Sequence, residues 1–128
     1  NLDAISMYQN CTSDNQFNSN FERGLAYYMA NFFENDGTPK YYHNKNYPID
    51  IHCPAQLFVT LSKLGQFNSH KKIVTKVLNW SIKNMQSKKG YFYYQLKKGW
   101  SSKISYMRWS NAFMFNALTF YFKEHNSS

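Results

Sequence analysis

The sequence predicts an all-α fold of about two and a half helix pairs, a helical array or toroid with short aromatic β-segments before the inner helices. Two observations lead to this prediction. Apolar residues recur at helical spacing along most of the chain. The order amphipathic helix, aromatic extended segment, apolar helix occurs twice, with Tyr41-Tyr42 recurring as Tyr93-Tyr94. A period of about 50 residues built from helix pairs is typical of such architectures.

Two helices are predicted in the first part of the chain. Apolar residues at helical spacing predict a short helix over residues 2–10. After a polar loop, Ser19 and Glu22 have the form of a capping box, in which each side chain bonds a backbone N–H at the start of a helix. The helix predicted from there runs through Phe33 and ends near Gly37, because glycine tolerates the left-handed conformation at a helix end.

The second helix pair is separated from the first by an aromatic, extended segment over residues 39–47. Asp50 is predicted to be the N-cap of a helix over residues 51–64. That helix is apolar on most sides, which is typical of a buried helix. Ser69 is predicted to cap the next helix, residues 70–87, whose lysines lie opposite its apolar side chains. This pattern indicates an amphipathic surface helix.

The last part of the chain repeats this order. Residues 91–94 form an aromatic run of β type, residues 97–99 predict a turn, and residues 103–107 predict a return strand. A helix over residues 108–123 is again apolar nearly all round, and residues 124–128 are predicted to be a polar tail.

The repeat predicts two layers, with the amphipathic helices outside and the apolar helices inside. The short helix over residues 2–10 is then an inner helix without an outer partner. Such a stack does not close into a ring on its own. We therefore expect residues 1–128 to be a single partial domain, the C-terminal fragment of a longer protein. Upstream repeats or self-association would cover its open apolar edge.

The charge of the chain indicates an affinity for anionic partners but no specific nucleic-acid recognition. The formal net charge is +8, and Arg23 and Arg108 are the two arginines among the 15 basic residues. Nucleic-acid readers use arginine for bidentate contacts, whereas these scattered lysines are typical of a solvated helix face. A positive surface attracts acidic polysaccharide as readily as DNA.

The composition excludes several other classes. Aromatic residues make up 20% of the chain, which excludes disorder, and two cysteines cannot support a disulfide scaffold. No apolar stretch has the length of a membrane span. No Gly-rich phosphate loop, HExxH or CxxC motif occurs, so the sequence predicts no cofactor and no metal site. Cys11 and Cys53 are expected to be reduced, which is typical of a cytoplasmic protein.

Four motifs resemble a known family. They are residues 36–42 (DGTPKYY), 47–56 (YPIDIHCPAQ), 90–95 (GYFYYQ) and 106–109 (YMRW). They resemble the C-terminal third of bacterial proteins from capsular and surface-polysaccharide gene clusters, which are often labelled delta-aminolevulinic acid dehydratase. The resemblance implies the six-hairpin (α/α) toroid shared by glycoside hydrolases, polysaccharide lyases and sugar epimerases. A true dehydratase of that name is similar to an α/β barrel, and this sequence lacks the strand–helix alternation of a barrel.

The toroid that the resemblance implies has its cavity where the segments before the inner helices converge. Aromatic faces there stack on sugar rings, and amide, imidazole and guanidinium groups bind hydroxyls and carboxylates. The candidates for catalysis are Asp50, His52, Tyr106 and Arg108. The candidates for substrate binding are Tyr42, His43, Tyr47, Gln56, Tyr94 and Trp109, with Tyr41, Tyr91, Tyr93 and Gln95 as further lining residues.

Each candidate also has a purely structural interpretation. Asp50 is equally suited to be a helix N-cap, and His52 to be a buried, hydrogen-bonded histidine. Arg108 is suited to a salt bridge or a cation–π contact, and tyrosines are most often core residues. A glycosidase usually needs two carboxylates, and Asp50 is the one carboxylate embedded in this set.

Three functions are therefore open. The first is a carbohydrate-active or carbohydrate-binding protein of surface-polysaccharide metabolism, lyase- or epimerase-like on a glycan that contains uronic acid. Elimination or epimerisation would use a Tyr or His base and a cation facing the carboxylate. The alternative is a non-enzymatic helical-repeat module for protein interaction. A lysine-driven nucleic-acid binder is the third.

Overall fold

The computed structural model describes residues 2–126, and Asn1, Ser127 and Ser128 lie outside the described range. Within that range the chain forms five α-helices: α1 (Leu2–Thr12), α2 (Asn18–Asn31), α3 (His52–Lys63), α4 (Lys71–Met85) and α5 (Ala112–Asn126). Its three short strands are β1 (Ile49–Asp50), β2 (Gln95–Lys97) and β3 (Trp100–Ser102). A 3-10 turn, Asn68–His70, precedes α4, and a π-helical turn, Met107–Asn111, precedes α5.

The strands form one antiparallel sheet in the order β1-β2-β3, so the fold is mixed α/β. The prediction of an all-α stack of two and a half toroid hairpins is therefore wrong. The aromatic segments before α3 and α5 are not independent connectors. They pair with each other through Ile49 with Leu96 and Asp50 with Gln95. Extended backbone must find hydrogen-bond partners, and each segment supplies those of the other.

The return strand was predicted at residues 103–107, and this position is also wrong. A tight turn at Gly99, whose φ is 84°, sends the chain back immediately after β2. The return strand is therefore Trp100–Ser102, and residues 103–106 carry no strand.

The hydrophobic core is built around α3. Its side chains Leu57, Phe58 and Leu61 have no solvent exposure. The most extensive helix packing joins α3 to α5, through fully buried Met114 and Ala117, and α4 covers another side. The apolar pattern of α3 therefore predicted its burial correctly.

The last helix is buried on one side only. Phe115 is 73% exposed and Phe122 is 59% exposed, although α5 is apolar nearly all round. A broad apolar face of α5 is thus open to solvent. No helix within residues 2–126 combines the length and the hydropathy that a membrane span requires.

The loops after α2 and α4 share one backbone pattern. Each contains a glycine with positive φ, 95° for Gly37 and 92° for Gly90. The equivalent N–H to C=O bonds are Glu34 to Thr38 and Ser87 to Tyr91, Gly37 to Glu34 and Gly90 to Ser87, and Lys40 to Phe32 and Tyr93 to Met85. Aligned on these bonds, Tyr41 corresponds to Tyr94, one residue beyond the partner that the sequence match suggested.

The helix ends differ from prediction where side-chain caps were expected. Ser19 lies inside α2, which begins at Asn18 without a side-chain cap, so the capping box does not form. Ser69 lies in the 3-10 turn and does not cap α4. Residues 124–126 of the expected polar tail belong to α5, and the rest of that tail lies outside the described residues.

Candidate functional site

Asp50 is the centre of the site, at the junction of β1 and α3. It is only 4% exposed, and both carboxylate oxygens accept hydrogen bonds. Its Oδ1 accepts the backbone N–H of His52 at 2.9 Å and pairs with the ring Nδ1 of His52 at 2.6 Å. Its Oδ2 accepts the side-chain amide of Gln95 at 3.3 Å. Asp50 therefore holds the first backbone N–H of α3 and the imidazole ring at the same time.

The bond to Asp50 determines which nitrogen of His52 remains available. An ionised carboxylate only accepts hydrogen bonds, so Nδ1 of His52 donates and carries a proton. In the neutral ring Nε2 then holds the lone pair. The His52 side chain is 31% exposed, and its ring packs edge-on against Phe113 at 4.5 Å between centroids. His52 is thus oriented by a buried acid and accessible from solvent.

An aromatic cluster extends from His52 toward solvent. The Tyr94 ring lies 6.4 Å from the His52 ring, 5.3 Å from Tyr106 and 6.3 Å from Trp109. Trp109 is 58% exposed and Tyr106 is 39% exposed, so ring surface is available to a ligand. The negative charge of Asp50, followed by burial and the neighbouring tyrosines, raises the pKa of Tyr94, which keeps this phenol protonated.

His52 lines a groove of about 280 Å³ between α2, α3 and α5. Its walls are Tyr28, Phe32, Phe33, Lys40, Tyr41, Cys53, Gln56 and Phe113. Gln56 donates to Thr60 at 2.8 Å and also lines a larger groove of about 670 Å³ against α1 and α2. Burial, followed by the charge of Asp50, raises the pKa of the Cys53 thiol to about 12, so this wall is uncharged at neutral pH.

The structure brings six of the ten predicted site residues into one neighbourhood: Asp50, His52, Gln56, Tyr94, Tyr106 and Trp109. Tyr42 is one ring away, because it packs at 4.8 Å against Tyr41 in the groove wall. His43 instead packs against Tyr27 of α2, at 6.2 Å.

Tyr47 and Arg108 are exposed, and no hydrogen bond or ring contact within the described range joins them to this neighbourhood. Arg108 lies in the five-residue π-helical turn. That turn rotates the chain by less per residue than an α-helix does, which changes the face on which a side chain lies.

Phe113 is the main wall residue that the sequence did not indicate as part of the site. It was assigned to the apolar face of the last helix, as a core residue. Its position four residues after Trp109 is the signal that was available, because residues at that spacing share a helix face. Lys40 and Cys53 lie within the family motifs but were not singled out.

Within residues 2–126, no three His, Cys, Asp or Glu side chains come together in a way that could hold a metal ion. Comparison of the chain with protein-family models, with curated proteins and with solved structures finds no match. The functional argument therefore depends on the geometry around His52.

Proposed function

We propose that this protein binds an acidic carbohydrate in the groove beside His52 and acts on it by proton transfer. The observation that carries the proposal is the buried Asp50 carboxylate, 2.6 Å from Nδ1 of a solvent-accessible histidine that adjoins exposed aromatic rings. We place the protein in bacterial surface-polysaccharide metabolism, as the motif resemblance implies. Its two free cysteines support a cytoplasmic location.

The chemistry that suits this arrangement is removal of a proton from the carbon next to a sugar carboxylate. Nε2 of His52 takes that proton, and the electron pair of the broken C–H bond moves toward the carboxylate. In an elimination, this pair then forms a double bond as the neighbouring C–O bond breaks. In an epimerisation, a proton returns to the same carbon from its other face. Both reactions conserve atoms and electrons without an oxidant.

Hydrolysis of a glycosidic bond is less well supported. That reaction usually uses two carboxylates about 5–10 Å apart, one of them able to donate a proton. Asp50 is 4% exposed, and both of its oxygens already accept hydrogen bonds. Among the described residues, no Asp or Glu lines the groove around His52. Asp50 is therefore better suited to orient the imidazole than to act on substrate itself.

Lys40 supports an acidic ligand. Its side chain is only 12% exposed, and its ammonium lies 3.2 Å from the carboxylate of Glu34. An ammonium has three N–H donors, so this pairing leaves donors for a second carboxylate. Lys40 lines the groove together with His52, whereas Arg108, the cation expected from the sequence, does not.

The experiment that tests the proposal measures binding by calorimetry, with a linear trimer of galacturonic acid as the probe and the neutral glucose trimer as its counterpart. Trp109→Ala should weaken binding of the acidic trimer about tenfold, because a stacked ring is lost. Trp100→Ala is the matched control, since both tryptophans are 58% exposed and Trp100 lies outside the ring cluster. Absence of binding, or equal losses in the two variants, would contradict the proposal.

A second candidate is self-association without catalysis. It is favoured by Phe115 and Phe122, which are largely exposed and lie two helical turns apart on α5. Residues at that spacing share a helix face, so two copies could bury the same surface against each other.

A further inference from the structure

Gln95 lies directly opposite Asp50 in the sheet. The two residues are partners in the antiparallel pairing of β1 with β2. The side-chain amide of Gln95 donates to Oδ2 of Asp50 at 3.3 Å, while Oδ1 serves both donors of His52. Gln95 is thus the one residue outside the Asp50–His52 turn that holds the carboxylate through a hydrogen bond in the described structure.

We propose that Gln95 is a positioning residue that keeps His52 in the tautomer with its proton on Nδ1. This inference deepens the proposed function and depends on it for its catalytic meaning. The terminal torsion of an aspartate side chain is broad, so bonds at one oxygen alone leave the plane of the carboxylate free to turn. A donor on Oδ2 fixes that plane, and the fixed plane aims Oδ1 at Nδ1. Supporting bonds of this kind commonly set the tautomer of a functional histidine.

The bond also links the two halves of the repeat. Asp50 and His52 follow the first aromatic segment, whereas Gln95 ends the second. His52 is therefore oriented only when β1 and β2 are paired, and Ile51 N–H adds a bond to the carbonyl of Tyr94 at 3.2 Å in the same place.

The experiment measures the ¹⁵N chemical shifts of the His52 ring by NMR, which distinguish the two tautomers without any ligand. His52→Gln assigns the signals among the four histidines. Gln95→Met keeps the length of the side chain and removes the donor, so the ratio of Nδ1–H to Nε2–H should fall about tenfold. Gln86→Met is the matched control, because Gln86 donates a comparable bond to Gly90 at 3.1 Å, away from His52.

An unchanged tautomer ratio in Gln95→Met would overturn the inference. If that variant does not fold, Gln95→Glu provides the test, since it keeps the size and polarity but has no donor at neutral pH. A wild-type ratio in Gln95→Glu would equally overturn the inference. Failure of the acidic trimer to bind the wild type would instead contradict the proposed function and leave the tautomer result standing.

Discussion

At the scale of single residues, Asp50 combines two roles that the sequence analysis treated as alternatives. It accepts the backbone N–H of His52, as a helix cap would, and it binds the ring of the same residue. The histidine two positions after the aspartate makes this possible, because both donors then reach one oxygen. The Asp50-Ile51-His52 order therefore contained the geometry of the pair, and the sequence indicated both members.

Cys53 gives a pH-dependent prediction. Burial, followed by the charge of Asp50, raises the pKa of its thiol from the ordinary 9.0 to about 12. The folded state thus favours the protonated thiol, and this contribution to stability is complete below pH 9. It is lost progressively as the pH rises from 9 toward 12, by up to about 1.4 kcal/mol per pH unit.

Urea unfolding at a series of alkaline pH values measures this effect. We expect the free energy of unfolding of the wild type to fall more steeply above pH 9 than that of Cys53→Ala. Cys11→Ala is the control, because Cys11 is exposed. Parallel slopes for the wild type and Cys53→Ala would show that the thiol is not held protonated by the fold.

At the scale of elements, the two glycine loops provide a matched pair. Gly37 and Gly90 have nearly the same positive φ, at equivalent positions after α2 and α4. A Cβ on Gly37 would lie 2.5 Å from the carbonyl oxygen of Lys76 in α4, whereas a Cβ on Gly90 would meet nothing within 4 Å. The two loops therefore separate backbone strain from steric contact.

Alanine substitution at each glycine tests this difference. Gly90→Ala should lower the free energy of unfolding by about 1–2 kcal/mol, the cost of positive φ for an L-residue. Gly37→Ala should cost about 2 kcal/mol more, because the backbone of α4 must also move. Chemical denaturation measures both values. Equal losses in the two variants would mean that α4 does not pack against this loop as described.

The elements also show what the sequence could and could not predict. Helical spacing placed α3 and α4 within about two residues of their ends, because apolar periodicity persists over several turns. The sheet escaped prediction because strands of two or three residues have no measurable period. The pairing of Asp50 with Gln95 joins residues far apart in the chain, and no local pattern signals it.

At the scale of the whole molecule, α5 determines whether the chain associates with itself. We expect oligomers at high concentration if two copies cover the face that carries Phe115 and Phe122. Phe115→Glu should shift the mass measured by light scattering toward the monomer. Tyr27→Glu, at a half-exposed ring on α2, is the control. A monomer at all concentrations would contradict self-association and leave carbohydrate binding unaffected.

The site could be predicted in part because it lies at the N-terminus of α3, next to the segments that the repeat had already paired. Residues on regular elements, such as His52 and Gln56, were placed correctly relative to each other by helical spacing. Arg108 was not, because a π-helical turn interrupts that spacing. His43 was not, because an irregular loop carries it toward α2.

The most direct test of the central claim is an NMR titration of the wild type with the galacturonic acid trimer. We expect the ring signals of His52 and the indole signal of Trp109 to shift together, at the same ligand concentration, while the indole signal of Trp100 stays unchanged. This result would place the sugar in the groove between α3 and α5. Equal shifts of both indole signals, or a saturated complex in which His52 does not respond, would contradict the account.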